Sequence, residues 1–145
     1  MPLPRPIPGM VIRYSFLWWG EHQRGQEEGV KDRPCAVILV TTDDEGDQVV
    51  TVLPITHTPP SNPELAVEIP HTTKRRLGLD DERSWIVLTE LNRFVWPGPD
   101  LRPAQSGDTE SVAYGLLPES LFRQVKTRLA GALKGHLVRM VSRTE

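Results

Sequence analysis

The sequence predicts a mainly β domain of the α+β class, a small antiparallel barrel covered at one end by a single C-terminal α-helix. Three observations carry this. Short apolar and β-branched runs recur along the chain, polar or proline-containing turns join them locally, and the one long stretch at helical spacing comes near the end. The crossover helices that a parallel doubly wound sheet needs are missing from the pattern. Closure into a barrel is the expected way for so many short strands to avoid exposed edges. At 145 residues, with 38% hydrophobic and 25% charged side chains, the composition suits one globular domain over residues 9–145, preceded by a proline-rich arm at residues 1–8.

The arm, Met1 to Pro8, alternates proline with other residues and so reads as extended and poorly packed. After Gly9, the segment Val11 to Leu17 alternates, with Ile12, Tyr14, Phe16 and Trp18 on one face, as in a half-buried first strand. Gly20 to Asp32 is polar, holds three glycines and is long for a hairpin connection, which marks it as a candidate functional loop. Cys35 to Val40 is apolar throughout and predicts a central strand buried on both faces. An acidic turn, Asp43 to Asp47, leads into a hairpin partner at Val49 to Leu53, which Pro54 stops or confines to an edge. Two further strands are expected at Ala66–Ile69 and Trp85–Leu88, with the basic and polar stretch His71 to Arg83 as their connection. Pro97 to Pro103 is irregular, and Val112–Tyr114 is a weak strand. Pro118 then opens a helix that carries Leu121, Phe122, Val125, Leu129 and Leu133 on one stripe, packed on the sheet.

Composition removes several function classes. Cys35 is the only cysteine, which excludes an internal disulfide framework and a four-cysteine zinc site and fits a reducing compartment. No apolar run approaches the roughly 18–20 residues of a membrane helix, and the arm lacks the apolar core of a signal peptide, so a cytoplasmic protein away from membranes is expected. The four histidines show no metal-ligand spacing and no glycine-rich phosphate loop is present, so neither metal nor cofactor is expected. A net charge of −2 gives no overall attraction to nucleic acid, and phosphate contacts must come from local clusters. The densest is Lys74-Arg75-Arg76 within His71 to Arg76, which suits phosphate contacts or else a solvated loop. The cations from Arg123 to Arg143 read as a solvated helix face. Of four tryptophans, Trp18 and Trp85 are expected in the core, whereas Trp19 and Trp96 are candidates for an interface or a stacked base.

Three segments carry a resemblance. Gly9–Arg13 (GMVIR), Arg33–Leu39 (RPCAVIL) and Val49–Thr56 (VVTVLPIT), in this order and spacing, resemble the first three strands of the MazF/PemK toxins of bacterial toxin–antitoxin systems. Gly115–Phe122, running into the amphipathic helix, is similar to the start of that family's last helix. The match spans Gly9 to about Leu133, with longer connections at Gly20–Asp32 and Trp96–Thr109. The resemblance implies an SH3-like barrel of the CcdB/PemK kind and a two-fold homodimer with single-stranded RNA in a groove across it. It also implies a cognate antitoxin protein that blocks the groove, and a growth-inhibiting, metal-independent endoribonuclease activity. Its key positions fall on Arg33 and Thr56.

Metal-independent RNA cleavage uses the substrate's own 2′-hydroxyl, so the protein must take its proton, neutralise charge on phosphorus and let the 5′-oxygen leave protonated. Arg33 suits the phosphate, because a guanidinium stays charged and presents two parallel donors; the alternative is a loop salt bridge to Asp32 or Glu28. Thr56 is placed to bond a phosphate oxygen or orient the 2′-hydroxyl. His57, His22 and Glu28 are the candidates for proton transfer. Thr56 and His57 can share a site only if the strand has ended between them, and Pro59-Pro60 suggests that it has. Lys31, Lys74, Arg75, Arg76 and Trp19 are the candidate RNA contacts. One departure stands out: Thr89-Glu90 occupy the place where many relatives carry an Asp-Gln pair. That leaves open a second class, a catalytically silent relative that binds RNA or a protein target as the CcdB-type inhibitors do.

Overall fold

Apolar runs with a period of two do form the frame of the protein. The computed structural model describes residues 4–26, 31–104 and 111–143. In chain order the elements are β1 (Met10–Tyr14), α1 (Trp19–Gln23), β2 (Arg33–Thr42), β3 (Gln48–Thr56), β4 (Ala66–Glu68), α2 (His71–Leu77), β5 (Trp85–Val87), β6 (Glu90–Val95), β7 (Leu101–Arg102), β8 (Ala113–Leu116), α3 (Glu119–Lys134) and β9 (Arg139–Ser142). The main path through the sheet is β4-β5-β3-β2-β1-β7. β6 shares an edge of β3 with β5, and β8 shares an edge of β1 with β7. Every pair is antiparallel except β6 with β9. No pairing joins β4 to β7 among the described residues, so the architecture is a mainly antiparallel, unclosed sheet with three helices.

Alternation distributes side chains to two cores. Val11, Ala36, Leu53, Ile55 and Ile86 form one with Leu121, Val125 and Leu129 of α3. Ile12, Tyr14, Phe16, Val37, Val52 and Phe94 form the other. β2 is therefore buried on both faces along Cys35–Val37, as its composition predicts. β1 is not half-buried: Val11 and Ile12 face different cores and both are fully buried. On α3, Ala132 completes the buried stripe, while Leu133 is 50% exposed.

Pro54 neither stops β3 nor confines it to an edge, since the strand runs on to Thr56 with Pro54 opposite Cys35 of β2. On its other side the neighbour changes from β6, alongside Val49–Val52, to β5, alongside Ile55–Thr56. Leu53 and Pro54 fall in that gap, where a residue lacking an N–H interrupts neither ladder. Within the described part of the arm, Arg5, Ile7 and Pro8 are exposed, as its composition suggests, and the chain is tied down at Pro6 and at Gly9. Pro6 is buried, Gly9 N–H donates to the Val37 carbonyl (2.8 Å), and the Gly9 carbonyl accepts from Leu117 N–H (2.8 Å). Gly9 makes this stitch at φ +93°, a conformation that favours glycine.

The stretch after His71 begins as a helix, α2, closed by Gly78 in the left-handed region (φ +75°). β6 escapes the sequence reading because Asn92 and Arg93 break its apolar pattern. Asn92 is nonetheless fully buried: its Oδ1 accepts from Leu17 N–H (2.9 Å) and its Nδ2 donates to the Leu17 carbonyl (2.7 Å). Along β6 lies β9, and just beyond it the Arg143 guanidinium is buried rather than solvated, paired with Asp100 at 2.9 Å. No helix of the described residues is long and apolar enough to cross a membrane.

Candidate functional site

Hairpin register brings the two residues of interest together. β2 and β3 are antiparallel, and the alignment that sets Cys35 opposite Pro54 brings Arg33, which opens β2, level with Thr56, which closes β3. Two clefts meet along this line. The first, of about 370 Å³, is polar and includes Arg13, His57, Asp80 and Tyr114. The second, of about 410 Å³, has Trp18, Pro59, Pro60 and Val87 with Asn62 and Thr89. Lys31, Arg33, Thr56 and Thr58 line both, so Arg33 and Thr56 stand on the wall the clefts share.

Arg33 lies with its guanidinium 5.0 Å from the centre of the Trp18 ring. Its Nε is buried and has no hydrogen-bond partner among the described residues. Asp32 pairs instead with Arg102 (3.5 Å), so the loop salt bridge to Asp32 is not the role of Arg33. Burial lowers the pKa of Arg33, with Cys35 and Glu21 acting in the opposite sense, and the group remains a cation. Thr56 Oγ1 accepts from Thr58 N–H (3.2 Å), which turns the chain out of the strand. His57 consequently leaves the sheet and shares the first cleft with Thr56 and Arg33.

His57 meets carboxylates at both ring nitrogens: Nε2 lies 2.7 Å from Asp80 Oδ2 and Nδ1 lies 3.9 Å from Glu82. Asp80 is fixed in turn by Lys74 Nζ at 2.6 Å. Desolvation pushes the Asp80 carboxyl up, but the Lys74 hydrogen bond and the charges of Lys74 and His57 outweigh it and hold it below the ordinary carboxylate range. His57, Asp80 and Glu82 offer donor atoms within 4.8 Å of one another, a grouping that their separation in sequence hides. The ammonium already on Asp80 opposes a second cation there.

Lys74 is thus not an exposed phosphate contact. It is 2% exposed, and its ammonium also donates to the Glu82 carbonyl and to Ser84 Oγ (2.7 Å), because α2 turns this one cation of the basic run inward. Arg75 and Arg76 are exposed and lie outside the lining of both clefts, with Arg75 against His71 (3.2 Å). Lys31 is exposed and lines both. His22 sits on α1 beside Trp19 and lines neither cleft, and Glu28 lies outside the described residues.

Trp19 is not the indole beside Arg33. α1 begins at Trp19 and turns it away, so that its N–H is held by Glu90 Oε1 (2.8 Å) and its ring lies 5.4 Å from Arg139. Trp18, expected in the core, is half-buried, edge-on to the core residue Phe16 at 5.3 Å, and also lines the second cleft, while Trp96 stacks at 6.2 Å on the core residue Phe94. Tyr114, unremarked in the sequence, enters the first cleft from β8; burial raises its hydroxyl pKa, with Arg13 acting against, so the phenol keeps its proton as a donor.

Of the Thr89-Glu90 pair, Thr89 lines the second cleft, whereas Glu90 serves the α1 backbone. Burial raises the pKa of Glu90, partly offset by the Trp19 N–H and Arg139. The fold therefore binds its proton more tightly than the unfolded chain does. Stability drawn from the neutral form is present at low pH and declines as pH rises from about 4.3, the ordinary glutamate value, through the raised one. Glu90→Gln keeps an acceptor for Trp19 and removes this decline. Thermal unfolding from pH 4 to 7 is expected to show the wild type losing stability relative to the variant; a relative gain rules the explanation out.

No protein-family model matches the chain, and no curated protein matches it. The likeness of the three strand segments to the MazF/PemK toxins stands on those residues alone.

Proposed function

We propose that this protein is a MazF/PemK-type endoribonuclease toxin that cleaves single-stranded RNA, without metal, on the wall between the two clefts. The observation that carries the reading is Arg33: a cation without an ion pair among the described residues, with a free Nε, stacked on Trp18 and flanked by Thr56 and His57. A polynucleotide laid across the wall has one nucleotide in each cleft and the phosphate between them at Arg33. The apolar side, with Trp18 and the prolines, suits a base, and Lys31 suits a neighbouring phosphate.

In this mechanism the 2′-oxygen attacks phosphorus while its proton passes to His57. Arg33 and the Thr56 hydroxyl hold the non-bridging oxygens as charge builds on them. The bond from phosphorus to the 5′-oxygen breaks, and that oxygen takes a proton from water in the open cleft. The products are a 2′,3′-cyclic phosphate and a free 5′-hydroxyl, and His57 returns its proton to solvent. An SH3-like barrel, a two-fold homodimer, a cytoplasmic location and an antitoxin that covers the clefts belong to the same reading. A second reading, a silent relative that binds RNA or a CcdB-like protein target, is favoured by one observation: Thr89 lines the second cleft where many members of the resembled family carry the aspartate of an Asp-Gln pair, and Glu90 beside it is committed to the Trp19 backbone.

Incubating the protein with mixed-sequence single-stranded RNA in chelator tests the proposal. Cuts at defined positions are expected. Intact RNA, or cutting only after a divalent metal is added, overturns it, and tight binding without cutting moves the assignment to the second reading.

A further inference from the structure

The first cleft holds a chain of contacts that the resemblance does not assign: Lys74, Asp80 and His57. Lys74 is buried, and the three donors of its ammonium are matched by three acceptors, Asp80 Oδ1 (2.6 Å), the Glu82 carbonyl and Ser84 Oγ (2.7 Å). These bonds tie α2 to the turn that follows it and fix the plane of the Asp80 carboxylate. The other oxygen, Oδ2, is left at 2.7 Å from His57 Nε2. We propose that Asp80, locked by Lys74, is a positioning residue that sets the tautomer of His57 so that Nδ1 carries the lone pair for the 2′-hydroxyl proton.

The chemistry leaves one arrangement. Asp80 stays ionised beside the Lys74 ammonium, so it only accepts hydrogen bonds. A neutral imidazole next to it must place its proton on Nε2, which leaves Nδ1 as the acceptor. Glu82, 3.9 Å from Nδ1, then stabilises the imidazolium once the proton has arrived. Lys74 fixes the sense as well as the position. If Asp80 were an amide, the ammonium would hold the amide oxygen and turn the amide N–H towards Nε2.

That asymmetry supplies the test, which rests on the nuclease reading for its kinetic arm only. Asp80→Asn keeps the acceptor for Lys74 but donates to Nε2, which forces the proton onto Nδ1 and blocks the base. Asp80→Ala removes the Lys74 partner without imposing a tautomer. A purely structural Asp80 makes alanine the more damaging change. A positioning Asp80 makes asparagine at least as damaging, with kcat down about 100-fold and KM nearly unchanged. The ring nitrogen shifts of His57 in the free protein, read by NMR where the ring is neutral, give an arm independent of activity. The expected result is Nε2–H in the wild type and Nδ1–H in Asp80→Asn. The same tautomer in both, or an asparagine variant that cleaves as the wild type does, overturns the positioning role. A tautomer switch in a protein that leaves RNA intact supports the positioning geometry and overturns the nuclease reading instead.

Discussion

Arg33→Ala is expected to lower RNA cleavage by about 10²–10³-fold, the usual scale for losing a group that holds charge in the transition state. The fold is expected to tolerate the change, with the free energy of unfolding moving by no more than roughly 0.5–1 kcal/mol. The contrast follows from the surroundings of Arg33. A structural arginine returns the cost of its burial through paired bonds, whereas the buried Nε of Arg33 has no partner among the described residues, and Asp32 is engaged with Arg102. Removing the guanidinium forfeits its contact with Trp18 but also relieves a desolvated donor. Such a poise, unfavourable for the free protein and useful to an anionic ligand, is what a phosphate site requires. Paired measurements of cleavage rate and unfolding free energy check it. A variant that loses stability by several kcal/mol along with its activity assigns Arg33 to the scaffold.

Arg143→Ala is expected to have the opposite profile, costing about 3–5 kcal/mol of stability. The Arg143 guanidinium donates to the Ser15 carbonyl (2.7 Å) and Asn92 Oδ1 (3.0 Å) and pairs with Asp100 at 2.9 Å. Both partners of that pair are nearly out of solvent, so truncating the arginine strands a carboxylate in the interior. One side chain thus joins the segment after β9 to β1, β6 and the turn before β7, and its loss frees several elements at once. Urea unfolding of Arg143→Ala, Asp100→Ala and the double variant checks this. The double variant is expected to be much less destabilised than the sum of the single changes. Additive effects, or a cost below about 1 kcal/mol, mean the pair is worth no more than a surface ion pair.

How far the sequence could be read depended on whether a structural cause was local. β2, β3 and α3 were legible because apolar period and β-branching act within a few residues, whereas Arg33 and Thr56 were singled out only by the resemblance of their strands to those of the MazF/PemK toxins. Pro54 misled because its fit depends on two different neighbours, β5 and β6, which no local pattern reveals. Lys74 looked like one of three equal cations until α2 turned it inward. The contact of His57 with Asp80 and the burial of Arg143 join residues far apart in the chain, and a composition-based reading assigns such charges to solvent. Alternation set Trp18 inward and left Trp19 as the ligand candidate, but it could not show that α1 begins at Trp19 and that Trp18 is the indole beside Arg33.

Whether the substrate's own 2′-hydroxyl is activated beside Arg33 and His57 is decided by changing the substrate. A short single-stranded RNA is prepared with the cut site intact and again with one 2′-O-methyl group on the nucleotide 5′ to the scissile phosphate, and both are incubated with the protein in chelator. The unmodified RNA is expected to yield a 2′,3′-cyclic phosphate end by mass spectrometry while the methylated RNA is bound and left whole. Cleavage of the methylated RNA at the same position contradicts activation of the 2′-hydroxyl.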